Sequence, residues 1–258
     1  MLNTFQNFGV VVAIVAASIA FLLALRRFWP NEQRRQHNDL IGWQMTVLGT
    51  TYAVIVGFML YTVWTEFQTA NGNAEAEANC VVNLARSAEG FSGVQREKIQ
   101  DLAGRYVDIM LTKEWPAMER LSFSTESHTV IQELWIAVTR VEVRNSSEQM
   151  SLARALTELS DMTKHRRRRE LEAISSLPGI LWAVLISGAV VTIISACLFG
   201  SVDLKLHLIQ VGMLALLVAL ALVAIADINR PFQGSVHVSP TGFERARLAL
   251  IEFRAAEQ

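Results

Sequence analysis

Charge is what this sequence withholds most selectively. The chain has 258 residues, with 23 lysines and arginines and 24 aspartates and glutamates, yet none of these lies in residues 1–25, 40–64, 173–202 or 206–226. A soluble globular domain spreads its charge far more evenly. Crossing the hydrocarbon core takes about 20 mostly apolar residues, and a charged residue at the centre of such a span costs roughly 2.5 to 3.5 kcal/mol on insertion scales. The four windows therefore read as four membrane spans, which excludes a soluble enzyme and a nucleic-acid-binding domain. Cysteine is nearly absent too: Cys80 lies in a polar stretch and Cys197 in the third span, so no disulfide framework or CxxC site is expected. The five histidines, His37, His128, His165, His207 and His237, show neither HExxH nor HxxxH spacing, so no two sit on one helix face as zinc ligands. Walker A, GxGxxG and GxSxG sequences are missing. Glu75 and Glu77, two residues apart, point to different sides of a helix and make a poor carboxylate pair. No metal, cofactor or enzymatic activity is implied.

What is present gives an all-α membrane protein: four transmembrane helices in two hairpins, with a helical water-exposed domain between the second and third. Residues 1–64 form the first hairpin (spans about 8–25 and 40–64), 65–176 the extramembrane domain, 177–228 the second hairpin (spans about 177–200 and 206–226) and 229–258 a C-terminal segment. The first span runs into Arg26, Arg27, Trp29 and Pro30 without a positive stretch before it, and reads as a retained anchor rather than a cleaved signal. In the second span Gly42, Thr46, Gly49, Ala53 and Gly57 form a helix-packing face, the last three at i, i+4, i+8, where small residues let another helix approach closely. The opposite face, Ile55, Phe58, Met59 and Thr62, meets lipid or forms a hydrophobic pore constriction. Pro178 suits the first turn of the third span, with Ser175 and Ser176 available as caps. His207 and Gln210 begin the fourth span, facing protein or lying at the wet interface.

Between the hairpins, apolar residues recur at helical spacing: Ile99, Leu102, Tyr106, Ile109 and Met110; Ile131, Leu134, Trp135 and Val138; Leu152, Leu156, Leu159 and Met162. No comparable stretch there alternates with period two, so the region should be helical. The segment 67–86 prolongs the second span out of the membrane, and Glu114, Trp115 and Pro116 mark a turn. Lys164, Arg166, Arg167, Arg168 and Arg169, with His165 among them, form the densest charge run. Such a cluster beside a span binds anionic headgroups, draws anions toward a pore mouth, or is simply a solvated helix turn. Arg26, Arg27, Arg34 and Arg35 after the first span place the first loop in the cytoplasm under the positive-inside rule, and hence the middle domain outside, although Lys164–Arg169 argue the reverse. Asp227, Arg230, Pro231, Phe232 and Gly234 form a helix exit: Arg230 is placed to pair with Asp227, Pro231 stops the helix and Gly234 permits a positive φ.

At these residues the chain resembles a bacterial membrane family described as bestrophin-like. The likeness is carried by His37-Asn38-Asp39 with Gly42; by Gly49, Tyr52-Ala53-Val54, Gly57-Phe58, Trp64, Phe67, Ala70 and Glu77-Ala78; by Glu114-Trp115-Pro116-Ala117-Met118; and by Leu177-Pro178, Leu181 to Val184, Arg230-Pro231-Phe232, Gly234 and Pro240. Members of that family usually place an acidic residue immediately before the Pro-Phe pair or one residue earlier, where this chain has Arg230 and Asn229 after Asp227. The resemblance to true bestrophins implies pentameric assembly around an anion pore lined by the second helix. Gly49, Ala53 and Gly57 would then pack between helices, and Ile55, Phe58 and Met59 would form the pore neck. Nothing resembles the calcium clasp of animal bestrophins, so calcium gating is not implied. Bestrophins keep the middle region in the cytoplasm, against the orientation read from the first loop. Two functions follow: a homo-oligomeric channel for small anions in the bacterial inner membrane, or a membrane-anchored interaction or sensory protein acting through its middle helices.

Overall fold

In a computed structural model the chain is described over residues 4–255 and, among these, is helical without strands. The helices are α1 (Thr4–Phe28), α2 (Asn31–Arg35), α3 (Asn38–Ser87), α4 (Gly93–Ile109), α5 (Trp115–Met118), α6 (Thr125–Thr139), α7 (Ser146–Ile174), α8 (Gly179–Leu198), α9 (Leu204–Ile228) and α10 (Thr241–Ala255). By length and composition α1, α3, α8 and α9 are each able to cross a membrane. They correspond to the four charge-free windows. The chain divides into two compact units, Met1–Thr65 with Ser176–Asn229 and Glu66–Ser175 with Arg230–Gln258.

Within the first unit, α1 lies chiefly along α9 and touches α8. Its Leu22 packs with Ala196 and Cys197 of α8 and Val211 of α9. Tyr52, Val56, Met59 and Val63 of α3 pack against Leu185 and Ala189 of α8 and Val218 and Ile225 of α9. The Tyr52 hydroxyl donates to the Leu185 carbonyl at 3.1 Å. Outward-facing Ile180, Ile186, Met213 and Leu217 are more than half exposed in the single chain, an apolar surface suited to hydrocarbon rather than water.

At one end of this unit the loop around α2 docks on the α8–α9 turn. Asn38 Nδ2 donates to the Gly200 carbonyl at 2.9 Å, and its Oδ1 accepts from Gly200 N at 2.9 Å. Arg26 reaches the Ser201 carbonyl, and Arg34 Nη1 donates to the Cys197 carbonyl at 2.9 Å. These contacts satisfy carbonyls left open at the end of α8, where the helix dipole also favours cations. Asp203 starts α9, its Oδ1 accepting from Lys205 N at 2.8 Å and Leu206 N at 3.2 Å. The expected caps of the third span are not used: α8 begins after Pro178 without a side-chain cap. Asn229 Oδ1 instead accepts from Leu177 N at 2.8 Å, so the chain before α8 is held from the end of α9.

In the second unit α3 continues unbroken to Ser87, as the Ala- and Glu-rich composition of 67–86 implies. Ser124 Oγ accepts from Glu126 N at the start of α6, and Asn145 Oδ1 from Glu148 N at the start of α7, each meeting an orphan amide. The expected turn at Glu114 is gentler than a break: a π-helical turn, Met110–Glu114, leads straight into α5. The core joins Ala74, Val81, Leu84, Tyr106, Leu134, Leu159 and Met162 with Phe232, Val238 and Phe243. Residues beyond Arg230 therefore pack into this unit.

One close approach in the docked loops is testable. A Cβ on Gly200 would lie 2.5 Å from Arg35 N, so Gly200→Ala should cost about 1 to 3 kcal/mol as an overpacking change, read as a lowered thermal midpoint in detergent. Gly72, inside α3 with nothing within 4 Å of a Cβ, is the control, and Gly72→Ala should leave the midpoint equal or higher.

Candidate functional site

Along the membrane part of α3, two faces differ sharply. Met45, Tyr52, Val56, Met59 and Val63 pack on the helices of their own unit. The small residues are elsewhere: a Cβ on Gly49 or Gly57 meets no atom within 4 Å, and Ala53 is exposed. Gly42 differs, since its Cβ would meet Phe199 Cε2 at 3.9 Å. Thr46 is exposed, with Oγ1 turned back to the Gly42 carbonyl at 2.9 Å. Of the three residues read as a pore neck, Phe58 is 65% exposed, whereas Ile55 and Met59 pack against Val63, Leu177, Leu185 and Ile225. In the single chain Phe58 is thus separated from the other two.

The basic run 164–169 does not act as one patch. Lys164 is exposed and pairs with Asp161 at 2.9 Å, and Arg167 and Arg168 are exposed. Arg166 and Arg169 turn into the core, a correction to their reading as lipid- or anion-facing groups. Arg169 is fully buried, donating from Nε to Glu77 Oε2 at 2.7 Å and from Nη2 to Glu77 Oε1 at 3.2 Å. Tyr106 donates its hydroxyl to Glu77 Oε1, and Arg169 Nη1 lies 2.9 Å from Met118 Sδ and 3.8 Å from Glu114 Oε1. Glu114 Oε2 accepts from Ser124 N at 2.8 Å and Ser127 Oγ at 3.1 Å. Ser127 Oγ in turn accepts from Arg166 Nη2 at 3.1 Å, and Arg166 pairs with Glu170 at 2.8 Å.

Burial by itself disfavours the charged guanidinium of Arg169, but the charge and hydrogen bonds of Glu77 outweigh it and hold its pKa above the ordinary value. Burial, and then the Glu77 charge, push the Tyr106 phenol well up. The forked Arg–carboxylate geometry is the strongest form such a pair takes. This cluster is a structural brace; no group of three or more histidine, cysteine or acidic residues able to hold a metal occurs among the described residues.

A spacing signal for these inward charges exists in the sequence. Ala70, Ala74, Glu77, Val81, Leu84 and Ala88 are buried at steps of three and four, as are Ala155, Leu159, Met162, Arg166, Arg169 and Ala173 on α7. Each charge occupies a core position of an amphipathic stripe. Charge density alone hid this.

Trp115 closes one side of the brace. The Arg169 guanidinium carbon lies 5.9 Å from its ring centre, its Nε1 donates to the Val238 carbonyl at 3.2 Å, and Phe232 and Phe243 meet it edge-on at 5.7 and 5.6 Å. Of the helix-exit residues, Phe232 is buried, Gly234 adopts φ 89°, the Pro231 carbonyl accepts from Val238 N at 2.7 Å, and Arg230 bonds Gln233 at 3.3 Å. Gln233 donates to the Glu119 carbonyl at 2.9 Å. The segment 230–243 thus wedges its aromatic residues against Trp115.

A family model described as a bestrophin-like domain matches residues 12–243. No curated protein matches the sequence. Among solved structures, a bacterial bestrophin homologue from Klebsiella pneumoniae aligns with a TM-score of 0.69 at 11% identity, covering 95% of this chain and 98% of that one. A variant of that homologue gives a TM-score of 0.71 at 11% identity, over 95% and 98% of the two chains. A structure described as a membrane protein gives 0.68 at 11% identity, over 94% and 97%. At such low identity these matches establish a shared fold.

The brace makes a quantitative prediction. Arg169→Met leaves the Glu77 carboxylate buried and unpaired, and should destabilise the protein by about 3 to 5 kcal/mol, while Glu77→Leu combined with Arg169→Met should recover most of that loss. Arg167→Met, on the exposed side of the same helix, should change stability by less than about 0.5 kcal/mol. Denaturant midpoints of the four proteins, single and double variants beside the unaltered chain, decide the matter.

Proposed function

Because the chain belongs to the bestrophin-like family, we propose that it acts as a homo-oligomeric membrane channel for small anions, with α3 turned toward the centre of the assembly. The observation that carries this reading is the pair of faces on α3. One side packs against α8 and α9 of its own chain, while Gly49, Ala53 and Gly57 have no neighbour within it. A small-residue face in lipid gains stability from close helix approach, and here another copy's helix is the available partner. Phe58, exposed beside that face, then supplies the apolar constriction. Spans α8 and α9 form a hairpin on which α1 packs, chiefly along α9, in the cell membrane of a bacterium. Arg27 and Arg35, exposed around the first loop, support a cytoplasmic loop and an outward Glu66–Ser175 region.

Size-exclusion with light scattering should find a closed oligomer in detergent, and planar bilayers should show chloride-selective current. Gly57→Trp should dissociate the oligomer and abolish current, since its bulk enters the helix contact, while leaving the fold of the single chain intact. A stable monomer, or bilayers silent under both chloride and cation gradients, refutes the channel.

Orientation has a separate test. Cys80 is buried, and burial followed by the charges of Glu158 and Asp161 pushes its thiol up to about 12, so it is a poor target for alkylation. Exposed Ser147 replaced by cysteine should react with a membrane-impermeant maleimide in intact cells. Labelling only after lysis would assign the region to the cytoplasm.

A further inference from the structure

Hydroxyl groups in the membrane unit are treated in two ways. On α8 the exposed Ser187 turns its hydroxyl back to the Val184 carbonyl at 3.2 Å. On α3 Thr46 and Thr62 do the same, to the carbonyls of Gly42 and Phe58, each at 2.9 Å. Such bonds to the helix's own backbone satisfy a hydroxyl that water does not reach. Thr50 and Tyr61 of α3 are exposed and have no hydrogen-bond partner among the described residues, although Thr50 lies near the middle of the charge-free window 40–64. An unpartnered hydroxyl is costly in hydrocarbon.

At about 100° per residue, Trp43, Val47, Thr50, Val54 and Tyr61 fall on one stripe of α3, within about 40° of its centre line. All five are exposed. Met45, Tyr52, Met59 and Val63, which pack on α8 and α9, lie on the opposite side by the same count, and Gly49, Ala53 and Gly57 lie between the two. The other spans expose a different surface. The exposed residues of α1 from Val12 to Ala24 and of α9 from Met213 to Leu220 are all apolar, as lipid requires. A face with free hydroxyls suits water instead.

We propose that this stripe lines the ion path, and that the Thr50 and Tyr61 hydroxyls set selectivity by donating to the permeant anion in place of the water it sheds. The assignment rests on the channel reading above and goes beyond it in naming the groups that meet the ion. With the packed face behind and the small-residue face against the next copy, the stripe is the side of α3 left to face the axis. No charged residue lies on it from Trp43 to Tyr61, so the polar partners of the ion there are hydroxyl dipoles. Tyr61 stands one turn past Phe58, and its hydroxyl meets the ion beside that apolar constriction.

The test is planar-bilayer recording of the full chain under paired chloride and thiocyanate gradients. Thr50→Val and Tyr61→Phe keep the bulk of each side chain and remove its hydroxyl. Chloride holds its water more tightly than thiocyanate, so each variant should lower chloride permeability relative to thiocyanate by about threefold or more. Ser187→Ala, on α8, should leave the ratio unchanged. Val54→Cys should lose current to a water-soluble methanethiosulfonate, whereas Ile186→Cys on α8 should not; the native Cys80 and Cys197 are buried. A conducting channel with one permeability ratio for Thr50→Val, Tyr61→Phe and the unaltered chain overturns the role of the hydroxyls. Current that survives the reagent in a conducting Val54→Cys overturns the stripe as the lining. A silent unaltered chain refutes the channel itself, and this assignment with it.

Discussion

The ion pair between Arg169 and Glu77 is the interaction on which the helical unit turns. Two long helices, α3 and α7, meet through it, and neither charge is affordable in that core alone. The remaining polar groups are arranged around its needs: Tyr106 from α4 completes the Glu77 carboxylate, Met118 from α5 lies against the guanidinium, and Trp115 covers it. Trp115 in turn receives Phe232, Val238 and Phe243 from the far end of the chain. Removing one member of the pair would leave the C-terminal wedge covering an unpaired charge. The Glu-Trp-Pro stretch and the Pro-Phe stretch, far apart in sequence, thus belong to one assembly.

The membrane unit follows a different rule. Apolar surface facing lipid needs no burial, so its helices are held by a few specific contacts: Tyr52 against Gly188, the reciprocal bonds of Asn38 and Gly200, and Asn229 on the backbone of Leu177. Asn229, as an amide, accepts the Leu177 hydrogen without adding a charge to that of Asp227 in the last turn of α9. At the opposite end Arg26 and Arg34 bond the carbonyls of Ser201 and Cys197.

Much of this was legible in the sequence. The charge-free windows located the spans, and the helical spacing of Leu102, Tyr106, Leu134, Val138, Leu159 and Met162 located the core of the second unit, because burial in either medium is governed by apolar periodicity. The small residues of α3 stood out as a face, and in the single chain Gly49 and Gly57 meet no neighbouring helix and Ala53 is exposed. The arginine run misled. Arg166 and Arg169 look like part of a basic patch in one dimension, but a helix turns about 100° per residue and carries them inward while Arg167 and Arg168 stay in water. Glu77 was hidden similarly, two residues from a half-buried Glu75.

By itself the sequence determined that the protein is helical and membrane-embedded, because hydrocarbon tolerates few charges and leaves backbone groups no partner outside a helix. Pairing was decided only by tertiary structure. That α1 lies against α9, that Arg169 meets Glu77 across 92 residues of sequence, and that Arg34 meets no carboxylate among the described residues depend on which helix faces converge in space. A charge's role is fixed by its neighbours, and neighbours so far apart in the chain leave no local pattern to read.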